Sequence, residues 1–255
     1  MSNPILSEKK WSDLADREAT SGSNAMTVNG TVMKTGVLLL VLLFTMGWMF
    51  EMFWNNGRPM RAQIMPWMIG GMIGSVVLCL VMMFAQRWAM ILGLAYAVAE
   101  GLLLGGFTMF MEARYPGLPL LAAGFTTGTL LAMLILYRTG IIKASSGFMK
   151  GVMAAVGGLM LGLGILFVLN MFGVGTGITG ALYGNGPIGI IFSVVCIGLA
   201  ALCLVVDFAV IEQGARDGAP KHMEWVGAFG LMVTLVWLYI EILNLLAKLR
   251  GGSDD

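Results

Sequence analysis

The sequence predicts an all-α membrane protein with seven transmembrane helices, and three observations predict it. The chain is 58% hydrophobic and 11% charged, where a soluble domain carries roughly 25% charged residues. Its mean hydropathy is +0.86. Seven apolar runs occur, at approximately 31–53, 64–85, 88–111, 118–138, 148–170, 187–209 and 224–247, each about as long as the ~20 residues that cross a bilayer as a helix. The chain therefore divides into an N-terminal tail (1–30), a seven-helix domain (31–250) and a short C-terminal tail (251–255).

In the N-terminal tail, residues 4–18 favour a short helix with Trp11 and Leu14 on one side, suited to a membrane surface. Residues 19–30 are rich in Ser, Gly and Asn and read as a linker. The tail has no apolar core of signal-peptide length, so it is expected to stay on the side where it is made. The connections between runs are short. The longest uncharged one, 171–186, is glycine-rich and is expected to hug the membrane surface or dip into it.

Small residues four apart recur at Gly70/Gly74, Gly101/Gly105, Gly124/Gly128 and Gly158/Gly162, and this spacing lets helix backbones approach closely. The second and fifth runs share a pattern, GGMIG against GGLMLG. If runs one to three and four to six are a repeat, the odd number of spans in each makes the two copies inverted. The expected architecture is two three-helix layers around a central seventh helix.

Orientation follows from the basic residues. Lys9, Lys10, Arg17, Lys34, Arg87, Arg138, Lys143, Lys150, Arg216 and Lys221 fall on the side of the N-terminus. Arg58, Arg61, Arg114, Lys248 and Arg250 fall on the other, a ratio of ten to five. The N-terminus is expected in the cytoplasm and the C-terminus outside, in the inner membrane of the cell.

Several functions are disfavoured by composition. A net charge of +1 gives no basis for nucleic-acid binding. The cysteines Cys79, Cys196 and Cys203 all lie in apolar runs, so no disulfide framework is implied. The single histidine, His222, lies in a loop, which argues against histidine-ligated metal chemistry. The 22 methionines read as core filler. No membrane run offers a Ser–His pair, HExxH or GxGD, and the seventh run has no lysine at its middle to carry a retinal. No enzymatic activity and no cofactor are expected.

The seventh run, from Trp225 to Leu246, carries one charge, Glu241. Thr234, Glu241 and Lys248 are seven apart and Asn244 is one turn past Glu241, so they share a stripe. A carboxylate inside a span normally faces the bundle interior or a water-filled cavity; the alternative is a Glu that snorkels to the interface beside Trp237 and Tyr239.

The other acidic residues in the runs are Glu51, Glu100 and Asp207, with Glu112 and Glu212 near ends. No interior lysine or arginine is evident to neutralise them. A carboxyl group buried without a cation holds its proton more tightly than one in water, and two that share a site titrate as a pair. Asp207, Glu241 and Glu100 are the candidate proton-sensing and ion-binding residues, with Asp207 and Glu241 as candidate calcium ligands, since hard cations take carboxylate oxygens. Asp207 as a helix-end cap and Glu100 as a protonated interhelical partner remain open alternatives. Arg87, Glu212 and Asn244 are accessory candidates. Arg87 and Asp207 fall at similar depth, so an ion pair is expected there as a cytoplasmic latch, the alternative being an Arg87 that faces lipid headgroups. Glu51, among Trp48, Phe53 and Trp54, reads as interfacial.

The C-terminal third resembles the Bax inhibitor-1 family, also called the transmembrane Bax inhibitor motif family. The resemblance lies in Val206-Asp207-Phe208, Ile211-Glu212, GAPKHMEW at 218–225 and LYIEILNLL at 238–246; MTVNGTVMKTG at 26–36 and EGLLLGG at 100–106 resemble its bacterial branch. The resemblance implies a seven-helix fold whose last helix is wrapped by two three-helix layers. It also implies a pH-sensitive calcium leak gated by two acidic residues on the sixth and seventh helices, here Asp207 and Glu241. The second position holds Glu where the family usually has Asp, and it follows Asp207 by an unusually long interval.

The function expected from these readings is a pH-sensitive calcium or cation leak channel or transporter, gated by protonation of buried carboxylates. Its partners would be the lipid bilayer, calcium ions and protons. The alternative is a non-conducting regulator that binds other membrane proteins, such as a quality-control protease.

Overall fold

The computed structural model describes residues 25–55 and 57–251. The surface helix expected at 4–18 and the first part of the linker lie outside the described residues. Seven long apolar helices form, as the hydropathy predicts. They are α1 (Val28–Phe53), α2 (Arg61–Phe84), α3 (Ala89–Arg114), α4 (Leu118–Arg138), α5 (Ser146–Met171), α7 (Pro187–Arg216) and α8 (Met223–Gly251), with a short helix α6 (Thr176–Tyr183) between α5 and α7. A small antiparallel hairpin, β1 (Trp54–Asn55) and β2 (Arg58–Pro59), joins α1 to α2.

Local chemistry sets the helix starts. Thr27 caps α1, its side chain accepting the Gly30 N–H at 3.0 Å, and Ser145 caps α5 in the same way. Pro119 and Pro187 sit in the first turns of α4 and α7, where a missing N–H is harmless. The turn from α3 to α4 needs Gly117, whose φ of 80° lies in the left-handed region. The glycine-rich connection 171–186 contains α6, whose eight residues the sequence reading did not separate from loop.

α8 is the most enclosed of the long helices. It packs on α1 and α3 on one side and on α4 and α7 on the other. One side contributes Ala228, Phe229, Met232 and Val236 to a core with Leu38, Leu42, Tyr96 and Leu104. The other contributes Leu231, Leu235, Leu238 and Ile242 to a core with Ala122, Ala200, Leu204 and Val205. α2 packs outside on α3, and α5 outside on α7. The contacts α1–α3 and α2–α3 of the first triplet match α4–α7 and α5–α7 of the second. This is the arrangement expected of an inverted repeat around a central last helix.

The small-residue pairs behave unequally. Gly101 and Gly105 lie against α1: an added Cβ would fall 2.8 Å from the Leu42 carbonyl at the first and 3.0 Å from the Met49 side chain at the second. Gly71, rather than Gly70, is the contact of α2 on α3. Gly124, Gly128, Gly158 and Gly162 have open space where a Cβ would go, so the expectation that they pack helices together is corrected. They lie on α4 and α5 faces turned away from the core, where packing places no limit on size.

Candidate functional site

The polar stripe of α8 faces α7 and α6, and three polar layers follow along the seam. The first pairs Thr234 with Asp207. The Thr234 hydroxyl stands beside the Asp207 carboxyl and donates to the Gly230 carbonyl at 3.2 Å. Asp207 Oδ2 is buried with no hydrogen-bond partner among the described residues. A buried oxygen without a partner is rare because its desolvation is uncompensated. Asp207 was expected near the end of its helix. α7 continues to Arg216, which puts Asp207 about 13 Å inside the helix at 1.5 Å per residue. The helix-cap alternative is therefore excluded.

The second layer holds Glu241, two turns beyond Thr234. It is half-buried and faces the Trp237 indole, with Tyr183 of α6, Cys196 of α7 and Lys248 close enough to act on it electrostatically. Burial raises the pKa of the Tyr183 phenol above its ordinary value, and the Glu241 carboxylate adds to the rise.

The third layer is Lys248. The residue is 6% exposed, and its ammonium donates to the Leu182 carbonyl at 3.0 Å, the Gly189 carbonyl at 2.9 Å and Ser193 Oγ at 2.9 Å. Three donors meeting three oxygens satisfy the ammonium completely. The expectation that no interior cation attends the carboxylates is thus corrected at Glu241. The stem of Lys248 is long enough to turn back into the bundle from the last turns of α8.

Asp207 and Glu241 do not form a joint site. Asp207 meets α8 at Thr234, and Glu241 lies seven residues on, roughly 10 Å along an unbroken helix. Among the described residues no group of three or more His, Cys, Asp or Glu is placed to hold a metal ion, and the expected calcium site shared by Asp207 and Glu241 is not assembled. The expected latch is not made either. Arg87 is exposed in a 3-10 turn, Gln86–Trp88, while Asp207 points into the α7–α8 seam; the three ion pairs among the described residues do not include them.

Glu100 belongs to a different place. It is 5% exposed and sits between α2 and α3, hydrogen-bonded to Ser75 and Tyr96. The Tyr96 ring meets Phe229 of α8 edge-on at 4.8 Å. Glu212, at the end of α7, accepts from the Tyr137 hydroxyl of α4 and from Arg216, which ties α4 to α7 at the surface. Asn244 is half-buried, with no hydrogen bond from its side chain among the described residues. Glu51 is exposed at an aromatic cluster in which the Trp48 and Trp67 rings are 5.7 Å apart, as an interfacial residue should be.

One cluster escaped the sequence reading. Glu224, in the first turn of α8, is 1% exposed. Its carboxylate pairs with Lys34 of α1 and with Lys221 at 3.0 Å, and accepts the Thr27 N–H at 2.8 Å and hydroxyl at 2.9 Å. The Met26 N–H donates to the Ala219 carbonyl at 2.7 Å beside it. A Cβ added at Gly30 would fall 2.3 Å from Glu224 Oε1, so any larger residue there would displace the carboxylate from this cluster. The available signal was charge complementarity: the first and last runs each begin on the same side of the membrane, one with Lys34 and the other with Glu224.

These features define a multi-pass helical membrane protein with a buried polar seam along its central helix. The family model described as Bax inhibitor 1 like matches residues 3–251, and the chain belongs to that family. No curated protein matches the chain, and no solved structure matches it.

Proposed function

We propose that the protein is a proton-sensitive cation leak channel or transporter of the inner membrane, with calcium as its cargo, the α7–α8 seam as its pathway and Asp207 as its gate. The observation that carries this reading is the buried, unpartnered Asp207 oxygen beside a hydroxyl with two places to donate. A threonine hydroxyl has one proton. With Asp207 ionised, Thr234 donates to the carboxylate; with Asp207 protonated, Thr234 returns to the Gly230 carbonyl and the acid becomes a donor. The proton on Asp207 thereby changes both the charge and the hydrogen bonding at the point where α7 meets the central helix. Glu241 acts as a separate carboxylate farther along the same seam, with Lys248 as its resident cation. The N-terminus is cytoplasmic and the C-terminus outside, and the protein works without a cofactor or enzymatic chemistry.

The test is calcium flux into proteoliposomes from about pH 6 to pH 8, for the wild type and for Asp207→Asn. Flux whose pH profile shifts or flattens in Asp207→Asn supports the gate. An unchanged profile removes Asp207 from it. No flux at any pH leaves the non-conducting regulator of other membrane proteins as the better reading.

A further inference from the structure

We propose that the cleft between α1 and α4 is a binding site for one phospholipid whose headgroup carries a primary ammonium, with Glu112 receiving that ammonium. The cleft has a volume of about 630 Å³. Its sides are α1, with Leu43 and Met46, and α4, with Ala123; its back is α3 and α8. All four are long apolar helices, so the open side faces lipid chains. From Leu39 to Phe50 the α1 wall rises through 11 residue steps, about 16 Å. That is half of the ~30 Å hydrocarbon core, the depth that one chain of one leaflet occupies.

The polar residues of the wall are satisfied within the protein. The Thr108 and Tyr239 hydroxyls bond each other at 3.0 Å. Thr126 and Thr127 donate to the carbonyls of Ala122 and Ala123 at 2.8 and 2.9 Å and turn no free donor into the cleft. The exception is at one end. Both Glu112 oxygens accept the single Gly117 N–H, each at 3.0 Å, although a carboxylate has about four lone-pair sites.

Basic groups flank the same turn. The Arg250 guanidinium donates to the Pro116 carbonyl at 3.3 Å, and that of Arg114 lies 5.4 Å from the Tyr115 ring centroid. One carboxylate at a turn flanked by two guanidinium groups complements a headgroup with an ammonium beyond a phosphate. Arginine binds phosphate oxygens in pairs, and a primary ammonium brings three donors to the carboxylate. A choline headgroup has no N–H, and a glycerol headgroup has no cation. A serine headgroup has the ammonium but adds a carboxylate that Glu112 repels, so the site selects an ethanolamine phospholipid.

The experiment is native mass spectrometry of the full chain after equilibration in vesicles of equal phosphatidylethanolamine, phosphatidylcholine and phosphatidylglycerol. The wild type should retain one lipid, with the ethanolamine form enriched about tenfold. Glu112→Gln should keep a bound lipid and lose the enrichment. Ala123→Trp should fill the cleft and lose the lipid; Leu43→Trp, from the opposite wall, does the same if the first variant fails to fold. No retained lipid, equal retention of all three, or retention unaffected by either tryptophan would overturn the proposal. So would photocrosslinking at Leu43 that captures a protein helix in place of lipid.

Discussion

The Asp207 carboxyl of α7 meets the central helix at Thr234, and one of its oxygens is buried without a partner among the described residues. Glu241 stands two turns farther along α8, with Tyr183 and Lys248 near enough to act on it electrostatically. Sites that share no partner act independently. In a double-mutant cycle of Asp207→Asn and Glu241→Gln, read by thermal unfolding in detergent, the effects should add to within about 0.5 kcal/mol. A coupling above about 1 kcal/mol would mean that the two carboxylates share a site after all.

Arg87 makes no ion pair with Asp207 and is exposed. Arg87→Ala should leave basal calcium leak at neutral pH unchanged. A rise in leak would restore the latch as a feature of another conformation.

Glu224 is sealed among Lys34, Lys221 and Thr27. Removing one member of a buried ion pair strands the other charge, at roughly 3–5 kcal/mol. Glu224→Gln should lower stability by about that amount, with Lys34→Met close behind. Lys221, whose side chain is 47% exposed, should contribute under about 1 kcal/mol. Equal losses at Lys34 and Lys221 would show that the cluster is solvated.

Lys248 should hold the α6 connection in place. Lys248→Met leaves the Leu182 carbonyl without its donor, and charged hydrogen bonds contribute about 1.5–3 kcal/mol each. Hydrogen exchange across 171–186 should speed up while α1 to α3 are unaffected. Unchanged protection there would mean that α6 is held by its apolar contacts alone.

At Gly71 an added Cβ would fall 2.5 Å from the Ala99 carbonyl oxygen and 2.9 Å from the Leu103 nitrogen. Backbone cannot yield as a flexible side chain does, so Gly71→Ala should destabilise by about 1–3 kcal/mol. Gly124→Ala and Gly158→Ala, with open space around them, should cause no loss. Thermal unfolding of the three variants side by side decides it.

The spans and the central place of α8 were legible because they rest on composition and period. Apolar length marks each span, and the stripe of Thr234, Glu241 and Lys248 marks the face that meets α7. The partners along that face were not legible. The apolar run ends at residue 209, whereas α7 continues through Glu212 and Gln213 to Arg216, because polar residues extend a helix into the interface as readily as apolar ones. That shift places Asp207 deeper than Arg87 and opposite Thr234, still about 10 Å short of Glu241 along α8. The Glu224 cluster was missed for a related reason: charges at run ends read as interfacial, and only folding brings Lys34 and Glu224 together across 190 positions of chain.

That separation also orders events during synthesis. At about 5–20 residues per second, Glu224 follows Lys34 out of the ribosome by roughly 10–40 seconds. Each triplet can associate through its own contacts in that interval, but the helix they share emerges last. Until it arrives, Lys34 sits near the start of an inserted span with no carboxylate to meet, and the inner faces of six helices have only lipid or one another. The last helix made is thus the one that joins the two triplets, and a chain cut short before Glu224 lacks the carboxylate that Lys34 meets in the fold.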